Sequence, residues 1–381
     1  MIDAPPPDLP TSERERLYGL DALRAIAVAL TFVMHFAWLY GNTFLKADLE
    51  FLSLKTAAGA EQTWLQLSYY SLYGVYFLFM ISGLLIGRQW IGSSERTLFG
   101  FLVARVWRIF PALWAALAGF YLVTTILGSP PSSHWGDVAA NALLINWFAP
   151  QWSTPWLIVS WSLQVEWIFY LAMPAVAMLI RSITPPRQIP ALMAVAILLA
   201  ISLKALGGRH FAYPLFFAVG IAVALRPAQA RRIGEKLPLT AFLTGLVALQ
   251  ALYAWTEPIS ANKPAWTVSA FDGFAVLFAV LGGATFARVA FAPPRWMLNR
   301  FVLLLGRVSY SFYLWHLTVL ILVFHLIHKT SVFGLLEEMH WVLRWVLLAG
   351  TTGLLSICTA IVSYRLFEAT YFSARKIQPP T

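Results

Sequence analysis

Residues 19–40 read GLDALRAIAVALTFVMHFAWLY, and the meaning of the whole chain turns on this stretch. A helix that crosses the roughly 30 Å hydrocarbon core of a bilayer needs about 20 mostly apolar residues, and this run supplies them. It also carries Asp21, Arg24 and His35. At about 100° per residue all three fall on one helix face. Asp21 and Arg24, three apart, are spaced to form an ion pair at the helix start. His35 lies about 16 Å further along the axis than Arg24. Ionisable groups are costly in hydrocarbon, so a face that gathers three of them is expected to point inward and to be a candidate functional face.

The apolar pattern recurs along the chain. Runs near 69–87, 107–127, 158–180, 189–206, 210–225, 238–255, 268–287, 309–328 and 341–364 predict an all-α, polytopic transmembrane helical bundle of about ten helices. Of the 381 residues 59% are hydrophobic and only 12% charged. A soluble domain carries about 25% charged residues, so this surface is one that a lipid bilayer, not water, must cover. The formal charge of +10 would suit nucleic acid on a soluble protein. Here the basic residues lie between apolar runs, and no nucleic-acid partner is expected. With the N-terminus inside, 19 of the 27 Lys and Arg residues fall in one set of alternating loops and 7 in the other, which predicts both termini in the cytoplasm.

The Pro-rich opening 1–17 is expected to be a disordered cytoplasmic N-tail, 18–372 the membrane domain and 373–381 a cytoplasmic C-tail. The opening lacks the features of a cleavable signal peptide. The loops 41–66 and 128–157, rich in Trp and Leu, are expected to lie along the interface as short amphipathic pieces. The single cysteine, Cys358, sits in an apolar run and is expected to be a buried packing residue, with no intrachain disulfide open to it. His325 and His328 are three apart, but no carboxylate or thiol joins them in that run, so no metal is expected.

Three further groups are candidates. Glu166, in SWSLQVEWIFYLAMP (160–174), is a lone carboxylate among Trp, Val, Ile and Phe and needs a buried partner. His or Arg on the first helix, or a donor on another neighbouring helix, would serve. Arg105 and Arg108, in ARVWRIFPALW (104–114), head the third span one helical turn apart. Two such guanidiniums can clamp a phosphate or anchor to anionic lipid. LGRVSYSFYLWHL (305–317) gathers Arg307, Ser309, Tyr310, Ser311, Tyr313 and His316, and Tyr313 and His316 can share a face. Its aromatic residues would equally suit an interfacial belt. From the residues alone, a transporter using Asp21, Arg24, His35 and Glu166 as a gating or proton-relay set is an alternative to an enzyme.

Taken together, LDALRAIAVALTFVMH (20–35), YFLFMISGLLIG (76–87), RVWRIFPALW (105–114), WSLQVEWIFYLAMP (161–174), LGRVSYSFYLWH (305–316) and SYRLFEATYF (363–372) resemble the acyltransferase-3 family of integral membrane acyltransferases. The resemblance is to its O-acetyltransferase type, without a fused C-terminal hydrolase-like domain. The family's Arg and His with ten residues between them match Arg24 and His35, its Arg-x-x-Arg pair matches Arg105 and Arg108, and its Trp-Ser-Leu-x-Val-Glu carboxylate matches Glu166. Trp167 and Ile168 stand where many members have a second carboxylate and a Gln, and Thr318 follows Leu317 where Trp-Pro is common.

The resemblance implies transfer of an acyl group, usually acetyl from acetyl-CoA, to a hydroxyl of an extracytoplasmic glycan or glycosylated small molecule. Arg105 and Arg108, with Arg24 deeper, would hold the CoA phosphates. His35 would be the general base and Glu166 would orient it, with an acyl-histidine route also open. Asp21, Arg307, Tyr313 and His316 would be structural or pocket residues. The setting implied is the cytoplasmic (inner) membrane of a bacterium, in which polysaccharide modification is one such role.

Overall fold

The computed structural model describes residues 11–47, 54–55, 57–91, 97–146, 155–205, 212–256 and 270–369. Residues 1–10 of the expected N-tail and the whole of the expected C-tail, 373–381, lie outside these residues. The described chain is all-α. In order its helices are α1 (Thr11–Tyr40), α2 (Ala60–Tyr69), α3 (Gly74–Ile91), α4 (Leu98–Ile126), α5 (Trp135–Leu143), α6 (Trp161–Ser182), α7 (Pro185–Ala205), α8 (Tyr213–Leu225), α9 (Pro227–Lys236), α10 (Leu239–Thr256), α11 (Ala270–Phe291), α12 (Arg300–Arg307), α13 (Ser309–His328), α14 (Val332–Glu338) and α15 (Trp341–Ser363).

Among the described residues, 8 helical stretches are long and apolar enough to cross a membrane. The α8–α9 pair, bent by 103°, makes a ninth, and the shorter apolar stretch Leu239–Trp255 also falls on an expected span. The protein is a multi-pass membrane protein, and the described part of each of the ten expected runs is mostly helical. The bend follows from Arg226, whose φ of −133° and ψ of 61° leave the helix just before Pro227. A residue before proline is driven out of the helical region, and proline then suits the first position of the next helix.

Two boundaries differ from the sequence expectation for physical reasons. Helix α4 begins at Leu98, not near 107, because Thr97 caps it: Oγ1 accepts the Gly100 N–H at 3.2 Å. Hydropathy stops at Arg105 and Arg108, but backbone hydrogen bonding does not, so both arginines lie within α4. Between α2 and α3 the chain tightens into a 3-10 turn at Tyr70–Tyr73.

The chain packs as two compact units. The first comprises 1–34, 47–95 and 169–307. Its tightest contact is between α3 and α8, where two glycines remove the side chains that would hold the backbones apart. A Cβ on Gly83 would lie 2.3 Å from the Phe217 carbonyl oxygen, and one on Gly220 would lie 2.1 Å from that of Met80. Lipid gives helices no hydrophobic reason to associate, so close packing of small residues does that work. Phe278 then fills the adjoining space, with the Tyr73, Tyr76, Phe77 and Phe216 rings around it.

The second unit comprises 35–46, 96–168 and 308–381. Helices α4, α13 and α15 form its frame. Hydroxyls on α15 do not burden it, because Thr351, Thr352, Ser356 and Thr359 each donate to a carbonyl four residues earlier. Buried Arg344 is satisfied in place: Nε donates to the Tyr40 hydroxyl at 2.6 Å and Nη1 to the Leu336 carbonyl at 3.2 Å. Its guanidinium also lies 4.5 Å from the centre of the Phe44 ring. Cys358 departs from expectation. It is exposed on α15 and so faces outward from the helix packing.

The glycine contact has a measurable consequence. Gly220→Ala places a methyl against main chain that cannot move aside, and should cost about 1–3 kcal/mol. Gly245→Ala, whose Cβ would make an ordinary 3.7 Å contact with Leu281, is the control. In detergent the first should lower the thermal midpoint clearly and the second should not. Equal midpoints would remove the α3–α8 contact from the account of stability.

Candidate active site

The candidate residues divide between the two units. In the first unit, Arg24 Nη1 lies 2.6 Å from Asp21 Oδ1, the ion pair that their spacing predicts. Both are partly exposed. The backbone beside this pair is clamped, because Gly306 approaches so closely that a Cβ there would lie 2.1 Å from the Asp21 carbonyl oxygen. Arg307, next in the chain, is exposed at the end of α12.

In the second unit, His35 from α1 meets His316 from α13. His35 is 8% exposed and His316 fully buried. His316 Nε2 lies 3.2 Å from His35 Nδ1, and the ring centroids are 5.1 Å apart. The other nitrogen of His316, Nδ1, is 3.1 Å from the Phe312 carbonyl oxygen one turn earlier in its own helix. Phe312 also stacks on the His316 ring, 5.8 Å between centroids with the planes 7° apart. So His316 is held on three sides and presents Nε2 to His35. The sequence expectation was that Glu166 orients His35; the structure sets His316 beside Nδ1 of His35.

Glu166 is half-buried on α6, one turn beyond Ser162 on the same face. Ser162 connects α6 to α13. The Tyr313 hydroxyl donates to the Val159 carbonyl at 2.9 Å, and having a single proton it receives the Ser162 hydroxyl at 2.8 Å. Tyr313 is fully enclosed, its ring centroid 5.9 Å from that of His316. Tyr310, on the same helix, donates to the Ile109 carbonyl of α4 at 2.8 Å.

Arg105 is buried, with its guanidinium 5.1 Å from the centre of the Phe101 ring, and Arg108 is half-buried one turn on. A group the sequence did not single out as functional stands near them. Glu368 ends a π-helical turn, Tyr364–Glu368, that continues α15. A π turn rotates the side chains that follow it, and Glu368 is buried at 5% exposure. Ser311 Oγ donates to Glu368 Oε1 at 2.5 Å and lies 2.9 Å from Ser363 Oγ, while Arg108 bears on the carboxylate electrostatically. The signal was present in SYRLFEATYF, a carboxylate at the end of an apolar helix.

A multi-helix membrane protein with a buried imidazole pair and paired arginines one turn apart has the parts of a membrane-bound acyl-transfer enzyme: a nitrogen base and cations suited to a phosphorylated donor. The family model described as an acyltransferase domain matches residues 17–363. The chain therefore belongs to the acyltransferase-3 family and is an acyltransferase. No curated protein and no solved structure matches it.

The Ser311 bridge is testable by stability. Ser311→Ala takes from Glu368 its hydroxyl partner, and losing the hydrogen bond of a buried polar group costs about 1–3 kcal/mol. Ser363→Ala leaves the Ser311–Glu368 bond in place and should cost less. Thermal unfolding of the two variants in the same detergent should rank them in that order. The reverse ranking would mean that Ser311 is not what holds the carboxylate.

Proposed function

We propose that the protein is an O-acyltransferase that moves an acyl group, acetyl in the simplest case, from cytoplasmic acyl-CoA to a hydroxyl of an extracytoplasmic glycan or glycosylated small molecule. The observation that carries the reading is the placement of His35, a nearly buried imidazole in a membrane acyltransferase with one ring nitrogen held by a neighbour. A neutral imidazole, whose ordinary pKa is about 6.5, is suited to take a proton near neutral pH.

Arg105 and Arg108 fit a phosphorylated donor. Two guanidiniums one turn apart give the forked donors that phosphate oxygens accept. Glu368 beside Arg108 fixes the local charge. On the other side of the reaction, His35 removes the proton of the acceptor hydroxyl as the oxygen attacks the thioester carbonyl carbon. The carbon–sulfur bond breaks, and the departing thiolate takes the proton from the His35 imidazolium. The products are an ester and a free thiol. Lysine and arginine placement along the chain supports a bacterial cytoplasmic membrane setting with both termini, and the donor arginines, on the cytoplasmic side.

Purified protein should bind acetyl-CoA saturably, and Arg105→Ala/Arg108→Ala should weaken binding about tenfold or more, as expected for charge-assisted hydrogen bonds worth roughly 1.5–3 kcal/mol each. His35→Ala should bind acetyl-CoA normally and lose transfer by at least about 100-fold, the lower end for a general base. Normal transfer by the His35 variant would remove the base assignment. Unchanged binding by the double variant would remove the donor site from α4.

A further inference from the structure

We propose that α9 and the bend before it bind anionic phospholipid of the cytoplasmic leaflet, with Arg226 and Arg232 taking the headgroup phosphate. All residues of this site belong to the first unit, and none is part of the acyl-transfer machinery described above.

Helix α9, PAQARRIGEK, holds Arg231, Arg232, Glu235 and Lys236 in ten residues. So much charge cannot lie in hydrocarbon. Helix α8 before it, YPLFFAVGIAVAL, has no charged residue and belongs within the membrane. The 103° turn between them therefore lays α9 along the membrane surface, on the side that the loop charges assign to the cytoplasm.

Burial assigns the sides of α9. Ala230 and Gly234 are buried against the protein. Gly234 meets the α11 main chain: a Cβ there would lie 2.9 Å from the Ala287 carbonyl oxygen and 3.1 Å from Arg288 Cα. At about 100° per residue, Ile233 falls about 80° to one side of this face and Arg231 about 80° to the other, with Arg232 opposite it. Ile233 is 46% exposed, an apolar group on a charged helix, and suits the acyl-chain side. Arg231, partly exposed and paired with Glu235 at 2.7 Å, suits the water side. That leaves Arg232 on the lateral face, at the level of the headgroups. It is exposed and makes no ion pair among the described residues.

The bend supplies the rest of the site. A cleft of about 600 Å³ is lined by Leu225, Arg226, Pro227, Ala228, Gln229 and Arg232. Small-ligand sites occupy about 300–1,000 Å³. The lining is divided as a lipid is, with apolar Leu225 and Pro227 beside two guanidiniums. Arg226 is anchored, Nη1 donating to the Leu225 carbonyl at 3.0 Å and Nη2 to that of Pro185. Neutral carbonyls hold the group in place without cancelling its charge. Two arginines on one cleft favour phosphate, whose oxygens accept forked N–H donors.

A second, independent sign of missing negative charge lies against α9. Nε and Nη1 of Arg288 are enclosed and have no hydrogen-bond partner among the described residues. Arginine keeps its charge in any protein. A cation so enclosed is costly without an anion near it. Of residues 226–236 four are basic and only Glu235 is acidic, and it is already paired, so α9 does not supply that anion. Headgroup phosphates along α9 do.

Purified full-length protein in a neutral detergent should be titrated with dioleoylphosphatidylglycerol or dioleoylphosphatidylcholine, reading bound lipid by native mass spectrometry and the thermal midpoint in parallel. The glycerol lipid should bind about twenty-fold more tightly, as expected of two basic residues near an anionic headgroup, and should raise the midpoint. The choline lipid should leave the midpoint unchanged. Arg232→Gln should weaken binding of the glycerol lipid about fivefold, the worth of one basic residue, and Arg232→Lys should restore most of it. Lys329→Gln, the same charge change at the exposed far end of α13, should have no effect. Arg288→Met should gain less stability from the glycerol lipid than wild type does.

Equal binding of the two lipids would overturn the proposal, as would an Arg232→Gln protein with unchanged affinity or a Lys329→Gln protein with an equal loss. An equal rise in midpoint from inorganic phosphate alone would overturn it too, because the cleft would then serve a soluble anion. The full lipid-induced rise in Arg288→Met would remove the buried cation from the site.

Discussion

A backbone N–H or C=O without a partner costs several kcal/mol in hydrocarbon, and no water is present there to supply one. That constraint dictates the helices, and the helices dictate how anything else can be held. Because lipid does not drive helices together, they must meet through close-fitting surfaces. In the first unit this is done by removing atoms: Gly83 and Gly220 bring the α3 and α8 backbones into contact. In the second it is done largely by polar links that end within the protein, such as Ser162 and Tyr310 joined to neighbouring helices through Tyr313 and Ile109.

Seen this way, the polar groups of the second unit are of two kinds. Hydroxyls that return to their own helix, as on α15, carry no information about function. Groups that reach across to another element do. His35 to His316, Tyr313 to Val159, and Ser311 to Glu368 all converge on α13, whose residues 309–316 are polar or aromatic except for Leu314. The helix is thus a rail along which an imidazole contact, a hydroxyl and a carboxylate bridge are set at fixed heights.

The span pattern was legible in the sequence because hydropathy is summed over many residues, and helix α13 begins and ends where its apolar run does. The Asp21–Arg24 pair was legible because both partners lie on one helix at a spacing that allows a single outcome. What crosses between helices was not legible. That His35 would meet His316 could not be read, since only packing decides which groups on different spans come together. The start of α4 was missed because a capping threonine outranks hydropathy locally. Glu368 was overlooked because its inward turn comes from a π-helical step, which has no reliable sequence mark. Cys358 was misjudged because an apolar run has an outer face as well as an inner one.

That outward-facing sulfur has a consequence for the order of events. The chain holds one thiol, and it looks away from the helix packing that builds the imidazole pair. Cys358 is therefore not placed to hold the acyl group as a thioester beside the imidazole pair. Reagents that cap sulfur should leave the reaction untouched, and the same lone thiol becomes a place to hang a probe without disturbing the chemistry it reports on.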